Sequence, residues 1–179
     1  MKKIIWTCGV FAGLISVTWG VASEALVGDS LSLNTKLFLG YATMILAFSL
    51  IFVGVKNYRD TYNNGQITFG KALGIGLLIT LIASTVYVVI WLVDFNYFAS
   101  DYGEKYQAQA VAEMKASGRS AAEIKKQTAE TAEMMGTYKS SFPFRVMFTY
   151  LEIAPVGIIM SLIAALVLKN KSKTATVNL

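Results

Sequence analysis

Apolar residues in this chain gather into four long runs. Ile4–Ala22, Leu37–Val55 and Ala72–Val93 carry no charge, and Val146–Leu168 carries a single one, Glu152. A transmembrane helix needs about 17–25 predominantly apolar residues. The runs therefore predict spans over about 4–22, 37–55, 72–93 and 146–168. The polar stretch 100–138 is rich in Ala, Glu, Lys, Gln and Met, all good helix formers. Asp101 with Glu104 and Ser120 with Glu123 fit the capping-box spacing, Ser117-Gly118-Arg119 breaks the stretch, and Gly136 suits a helix end. The spacing predicts two helices, about Tyr102–Ala116 and Ala121–Met135. Tyr106, Ala110 and Met114 line a face of one; Ile124, Thr128, Thr131 and Met135 line a face of the other. These stripes are too thin for a core. They must rest on each other, on the membrane surface or on a partner.

The expected fold is all-α: a four-transmembrane-helix bundle, one membrane domain over 1–179, with a helical hairpin insertion at 100–138 outside the membrane. Basic residues give the orientation. Lys2 and Lys3 precede the first run, Lys56, Arg59 and Lys71 lie between the second and third, and Lys169, Lys171 and Lys173 follow the fourth. The short first connection sets Lys36 against Glu24 and Asp29, and the third is balanced, with seven basic and seven acidic residues. The positive-inside rule puts both termini in the cytoplasm and the hairpin outside. The first run has two readings. Met1-Lys2-Lys3, an apolar core and Val21-Ala22-Ser23 resemble a secretory signal peptide, while the length of the run favours a retained helix.

Composition agrees with a membrane class. Hydrophobic residues make up 55% of the chain and charged residues 15%, against about 25% charged in a soluble domain. The net charge of +5 belongs to a rim beside anionic headgroups, not to a nucleic-acid surface. There is no histidine and one cysteine, Cys8, in an apolar run. The usual general base and metal ligands are thus missing, and neither a P-loop nor a nucleophile elbow is present. No cofactor, metal or catalytic residue is expected.

Two places remain as candidates. The first is in the fourth run, where Glu152 is followed by Pro155 and Gly157, which weaken a helix just past an acid. A charge at the bilayer centre costs roughly 2.5–3.5 kcal/mol or more, so an intramembrane acid is a functional pointer. Asp94, at the outer end of the third run, is a possible acid/base companion or simply a wet helix end. Tyr87, Thr149 and Tyr150 are candidate partners for Glu152. The second place is the loop with Arg59, Asp60, Asn64 and Gly65. Asn64-Gly65 signals a turn, and Tyr58, Tyr62 and Phe69 suit the headgroup layer. It reads as a binding loop or, more economically, as an anchored turn. Gly9/Gly13 and Gly70/Gly74 form GxxxG pairs that allow close helix approach.

Tyr58-Arg59-Asp60, Asn64-Gly65-Gln66-Ile67-Thr68-Phe69-Gly70-Lys71-Ala72, Gly118 with Ala122-Glu123-Ile124, Tyr138-Lys139, Pro143-Phe144-Arg145 and Phe148 through Gly157 together resemble the bacterial domain of unknown function family 4199. Glu-x-x-Pro-Val-Gly and Asn-Gly-x-Ile-Thr-Phe are the most specific pieces. The resemblance implies a small multi-spanning protein of the bacterial plasma membrane and no particular activity. The leading expectation is a non-catalytic interaction or scaffold protein, meeting a second copy or another membrane protein through the hairpin. The alternative is a small oligomeric transporter or proton-linked permease using Glu152 beside a Pro155 break. An intramembrane enzyme ranks last.

Overall fold

A computed structural model describes residues 1–27, 30–99 and 101–170. Asp29, Lys171 and Lys173, which weigh in the charge pattern, and Ser100, where the hairpin is expected to begin, lie outside the described residues. The described chain forms seven helices: α1 Lys2–Val27, α2 Leu33–Phe48, α3 Leu50–Tyr62, α4 Phe69–Tyr97, α5 Tyr102–Ala116, α6 Ala121–Ser140 and α7 Phe142–Leu168. Four stretches are long and apolar enough to cross a membrane: Lys2–Ala22, Leu33–Tyr62, Phe69–Tyr97 and Phe142–Leu168.

The helices outrun the apolar runs that predict them, because caps rather than hydropathy set their ends. Ser32, Thr68 and Ser141 each accept an amide from the first turn of α2, α4 and α7, and Pro143 falls in the first turn of α7, where its missing donor costs nothing. The second span is divided at Ser49. Its hydroxyl donates to the Leu46 carbonyl at 2.6 Å, and its amide is shared between the Ile45 and Leu46 carbonyls. Such back-bonding tightens and bends a helix without ending the span.

α4 is the post of the bundle and packs against α1, α3 and α7. A Cβ at Gly13 would lie 2.6 Å from the Ala83 carbonyl oxygen, and one at Gly9 would lie 2.7 Å from Ile82. On the α7 side, Gly157 sits against Thr80 and Phe48, and Gly76 sits against Ser161. The Thr80 and Ser161 hydroxyls share a hydrogen bond at 3.1 Å, and Ser161 also donates to the Gly157 carbonyl. The other GxxxG pair does not work this way: Gly70 and Gly74 face open space.

The expected break at Pro155 is absent. α7 runs unbroken through it, with Pro155 on its exposed side. Neighbouring packing lets an apolar helix absorb the one lost backbone bond.

α5 and α6 are separated at Gly118, which adopts φ +73°, and Ser120 with Glu123 closes a reciprocal capping box. Two local expectations fail. Asp101 makes no cap bond and instead pairs with Lys105 at 3.2 Å. α6 does not stop at Gly136 but continues to Ser140, because Gly136 keeps helical geometry and Ser141 takes the extended cap conformation. α5 meets α6 through Gln107, which donates to the Thr128 carbonyl, and through Gly103 against Met135, while Tyr106 of the expected stripe lines a space on the bundle side.

A buried cation ties the head of α7 to its neighbours. Arg145, 6% exposed, donates to the carbonyls of Tyr138 and Lys139 and to Asn96 Oδ1, at 3.0, 2.7 and 3.0 Å. Its guanidinium also lies 4.4 Å from the centroid of the Phe95 ring. At the opposite end Asn170 clasps the Asn64-Gly65 turn. Its side chain accepts from the Ile67 amide and donates to the Gly65 carbonyl, and its amide donates to the Ile67 carbonyl.

Three measurements test this account. Gly13→Val should lower thermal stability in detergent by about 1–3 kcal/mol, as overpacking against backbone does, while Gly74→Ala leaves it unchanged or slightly higher. Arg145→Lys should cost about 1.5–3 kcal/mol, because a single ammonium cannot span three oxygens placed around a planar fork; exposed Arg119→Lys serves as the control. For the capping box, the Ser120 hydroxyl and then the Ser120 amide hold the Glu123 carboxyl below the usual carboxylate range. A lowered folded-state value gives stabilisation that is present above the unfolded value and lost as pH falls through the folded one. Protection factors at the start of α6, with the intrinsic pH dependence of exchange divided out, should therefore fall below roughly pH 4. Ser120→Ala should weaken that dependence, the backbone amide still serving Glu123, and lower protection there about fivefold at neutral pH.

Candidate functional site

The end of the bundle that carries α5 is not filled. A cavity of about 180 Å3 lies between α1, α2, α4, α5 and α7. Helix rise orders its lining. α1 and α4 climb toward α5 and α2 descends from it, so Ser16, Met44, Tyr87 and Glu152 form the deep end. Trp19, Trp91, Lys36 and the residues of α5 form the other end. From Leu33 to Met44 the depth is roughly 16 Å at 1.5 Å per residue.

α5 roofs this space and is fastened to the start of α2. Glu113 Oε1 accepts the Leu33 amide at 2.8 Å, a free donor at a helix start that favours an acid. Gln109 donates to the Leu31 carbonyl and accepts from Lys36 Nζ at 2.9 Å. The walls are indoles and phenols, and the polar tips of both indoles are bonded elsewhere in the protein. Trp19 Nε1 donates to the Lys36 carbonyl and Trp91 Nε1 to the Tyr138 hydroxyl at 2.7 Å. Tyr138 in turn pairs with Thr149, and Tyr102 meets Trp91 edge-on at 5.4 Å.

Two deep groups are less well served. Glu152 is half-buried and has one described hydrogen bond, a long one of 3.4 Å from the Tyr87 hydroxyl. Among the described residues no cation lies within ion-pair distance of it. Ser16 Oγ is buried and has no partner among the described residues, a condition it shares with Ser84 Oγ and Thr128 Oγ1, neither of which lines the cavity. Serine in a helix ordinarily bonds the carbonyl one turn back, as Ser161 does here.

The candidate residues scatter. Of the partners considered for Glu152, Tyr87 reaches it, while Tyr150 pairs with Thr85 and Thr149 with Tyr138 and the Arg145 carbonyl. Pro155 and Gly157 do not line the cavity. Asp94 is half-buried in the wall of a second space of about 320 Å3, with Asp101 and Lys105. The two acids therefore do not share a site. Arg59 and Asp60 pair with each other at 2.7 Å, and Asn64 and Gly65 take φ 51° and 75° in the turn that Asn170 clasps. The loop is thus a fastened turn at the far end of the bundle. Among the described residues no three His, Cys, Asp or Glu side chains converge as a metal site would need. Sequence reasoning missed Ser16, Lys36, Trp91 and Gln109. Each is ordinary in its own helix, and only the convergence of five helices distinguishes them.

The family model described as "Protein of unknown function (DUF4199)" matches residues 7–170, nearly the whole chain. No curated protein and no solved structure matches it. The stretch matched includes most of the first apolar span, the other three in full, the Arg145 cluster and every residue of the cavity, and the chain belongs to the DUF4199 family.

Proposed function

We propose that this is a non-catalytic, multi-pass membrane protein that holds a small ligand in the cavity over Glu152, with α5 and α6 outside the bilayer as its cover. The observation that carries the reading is the position of the intramembrane acid. Glu152 points neither at lipid nor into a dry helix contact; it lines a space, together with an unpartnered buried hydroxyl. Intramembrane acids are expensive and mark sites. The bilayer placement is supported by large apolar side chains left exposed on every spanning helix, among them Trp6, Leu46, Leu81 and Ile159. The charge pattern supports cytoplasmic termini in a plasma membrane.

This reading departs from a scaffold whose hairpin awaits a partner. The polar face of α5 is already engaged by its own chain through Glu113, Gln109 and Lys36. It also departs from a permease, since α7 is continuous at Pro155 and the layer beneath Glu152 is filled by Phe48, Ile79 and Ile153, each 0% exposed.

Native mass spectrometry of the protein released from lipid nanodiscs, made directly from its own membrane, tests the proposal. The parent should retain a noncovalent small molecule, and Ser16→Leu, which fills the deep end, should be folded and lack it. A parent without any adduct overturns the ligand-binding reading. Reporter fusions at Asn64 and Ala116 test the placement of the cover; a cytoplasmic signal at Ala116 overturns it.

A further inference from the structure

Resting on that reading, we propose that the ligand is a compact amine whose primary ammonium group sits between Glu152 and Ser16 at the deep end of the cavity. Three independent features of the cavity select this class.

The first is charge. Glu152 is the lining carboxylate and stands at the deep end, whereas the two lysines of the lining stand at the end beneath α5, where Lys36 Nζ donates to the neutral Gln109 amide oxygen at 2.9 Å and Lys105 pairs with Asp101 at 3.2 Å. A carboxylate taken out of water without a counter-ion is strongly disfavoured. Among the described residues no cation stands beside Glu152, and the cavity leaves room for one to be brought in.

The second is hydrogen bonding. A primary ammonium has three donors and no acceptor. Glu152 and the Ser16 hydroxyl offer oxygen acceptors at the deep end, and the Tyr87 hydroxyl beside Glu152 offers another. An anionic head would meet the acid and be repelled. A neutral apolar head would leave the Ser16 hydroxyl unpaired, which costs free energy in a buried site.

The third is the wall. Rings of Trp19, Tyr41, Tyr87, Trp91, Tyr102 and Tyr106 line the space, and aromatic faces attract cations within about 6 Å. The chain already uses this device on Arg145. The volume of about 180 Å3 limits the body of the ligand; a dry cavity of about 150 Å3 takes benzene.

Benzylammonium, benzyl alcohol and benzoate form a matched set of cation, neutral molecule and anion. Their binding to the full chain in nanodiscs is read by calorimetry and by fluorescence of Trp19 and Trp91. Benzylammonium should bind at least tenfold more tightly than the alcohol, with benzoate weakest. Glu152→Gln should abolish that preference while leaving affinity for the alcohol within about twofold, and Ser16→Ala should weaken benzylammonium severalfold. Should Glu152→Gln not fold, Tyr87→Phe and Ser16→Ala carry the comparison. Equal affinity for ammonium and alcohol, or tighter binding of benzoate, overturns the amine class and leaves the cavity as a ligand site. Absence of binding by all three overturns the amine class as well. Only that result combined with an empty cavity in native mass spectrometry overturns both proposals.

Discussion

Helices in lipid gain little from the hydrophobic effect when they meet, because acyl chains are as apolar as leucine; they associate where small residues let backbones approach. α4 is held on both sides by this constraint. Gly9 and Gly13 bring α1 onto its backbone, and Gly157 brings α7 against Thr80. Toward α5 the same kind of residue meets something different. A Cβ at Gly20 would lie 3.9 Å from the Trp91 ring and one at Gly40 3.4 Å from the Trp19 indole, ordinary contact distances. At one end glycine is required by a neighbouring helix, and at the other it lies beside an indole that leaves room for a Cβ. The cavity lies where rings rather than backbones set the spacing.

Polar groups divide along the same line. Within the closely packed part Thr80 pairs with Ser161 and Arg145 with three oxygens, while Ser84 Oγ has no partner among the described residues. Around the cavity the two indole tips are paired as well. Glu152 and Ser16 stand apart, the first with a long bond and the second with none. Thr128 Oγ1 in α6, like Ser84 Oγ in α4, is also buried without a partner among the described residues; what sets Ser16 apart is that it lines the same space as an acid.

The four spans were legible because bilayer thickness imposes a length that hydropathy reports directly. Their ends were not, since Ser32, Thr68 and Ser141 act through cap geometry that extends each helix into polar sequence. Glu152 was legible as an acid in an apolar run, and the Ser120–Glu123 box as a spacing. The value of a glycine was not: Gly9/Gly13 and Gly70/Gly74 share one motif, and only the neighbours decide that one pair packs and the other faces open space. Arg145 reads in sequence as the last residue of a loop, yet it is buried inside the first turn of α7 because Pro143 starts that helix early. The cavity draws single residues from five helices, which no periodicity along the chain can reveal.

The cover and the bundle are held by different forces, and that difference decides how a ligand would enter on the proposed reading. α5 has no fully buried residue. Its described hydrogen bonds to the start of α2 are three, from Leu33 to Glu113, Lys36 to Gln109 and Gln109 to the Leu31 carbonyl. Each contributes net roughly 0.5–1.5 kcal/mol, somewhat more where a charge takes part, and water can replace every one of them. Parting the helices below would instead expose the contacts of Phe48, Ile79 and Ile153 and pull α1 off the α4 backbone. Movement of α5, which must also part Tyr102 from the Trp91 ring, is therefore the cheaper opening. It leads from the roof straight down the aromatic walls to Glu152, and it leaves the packed layer beneath the acid closed.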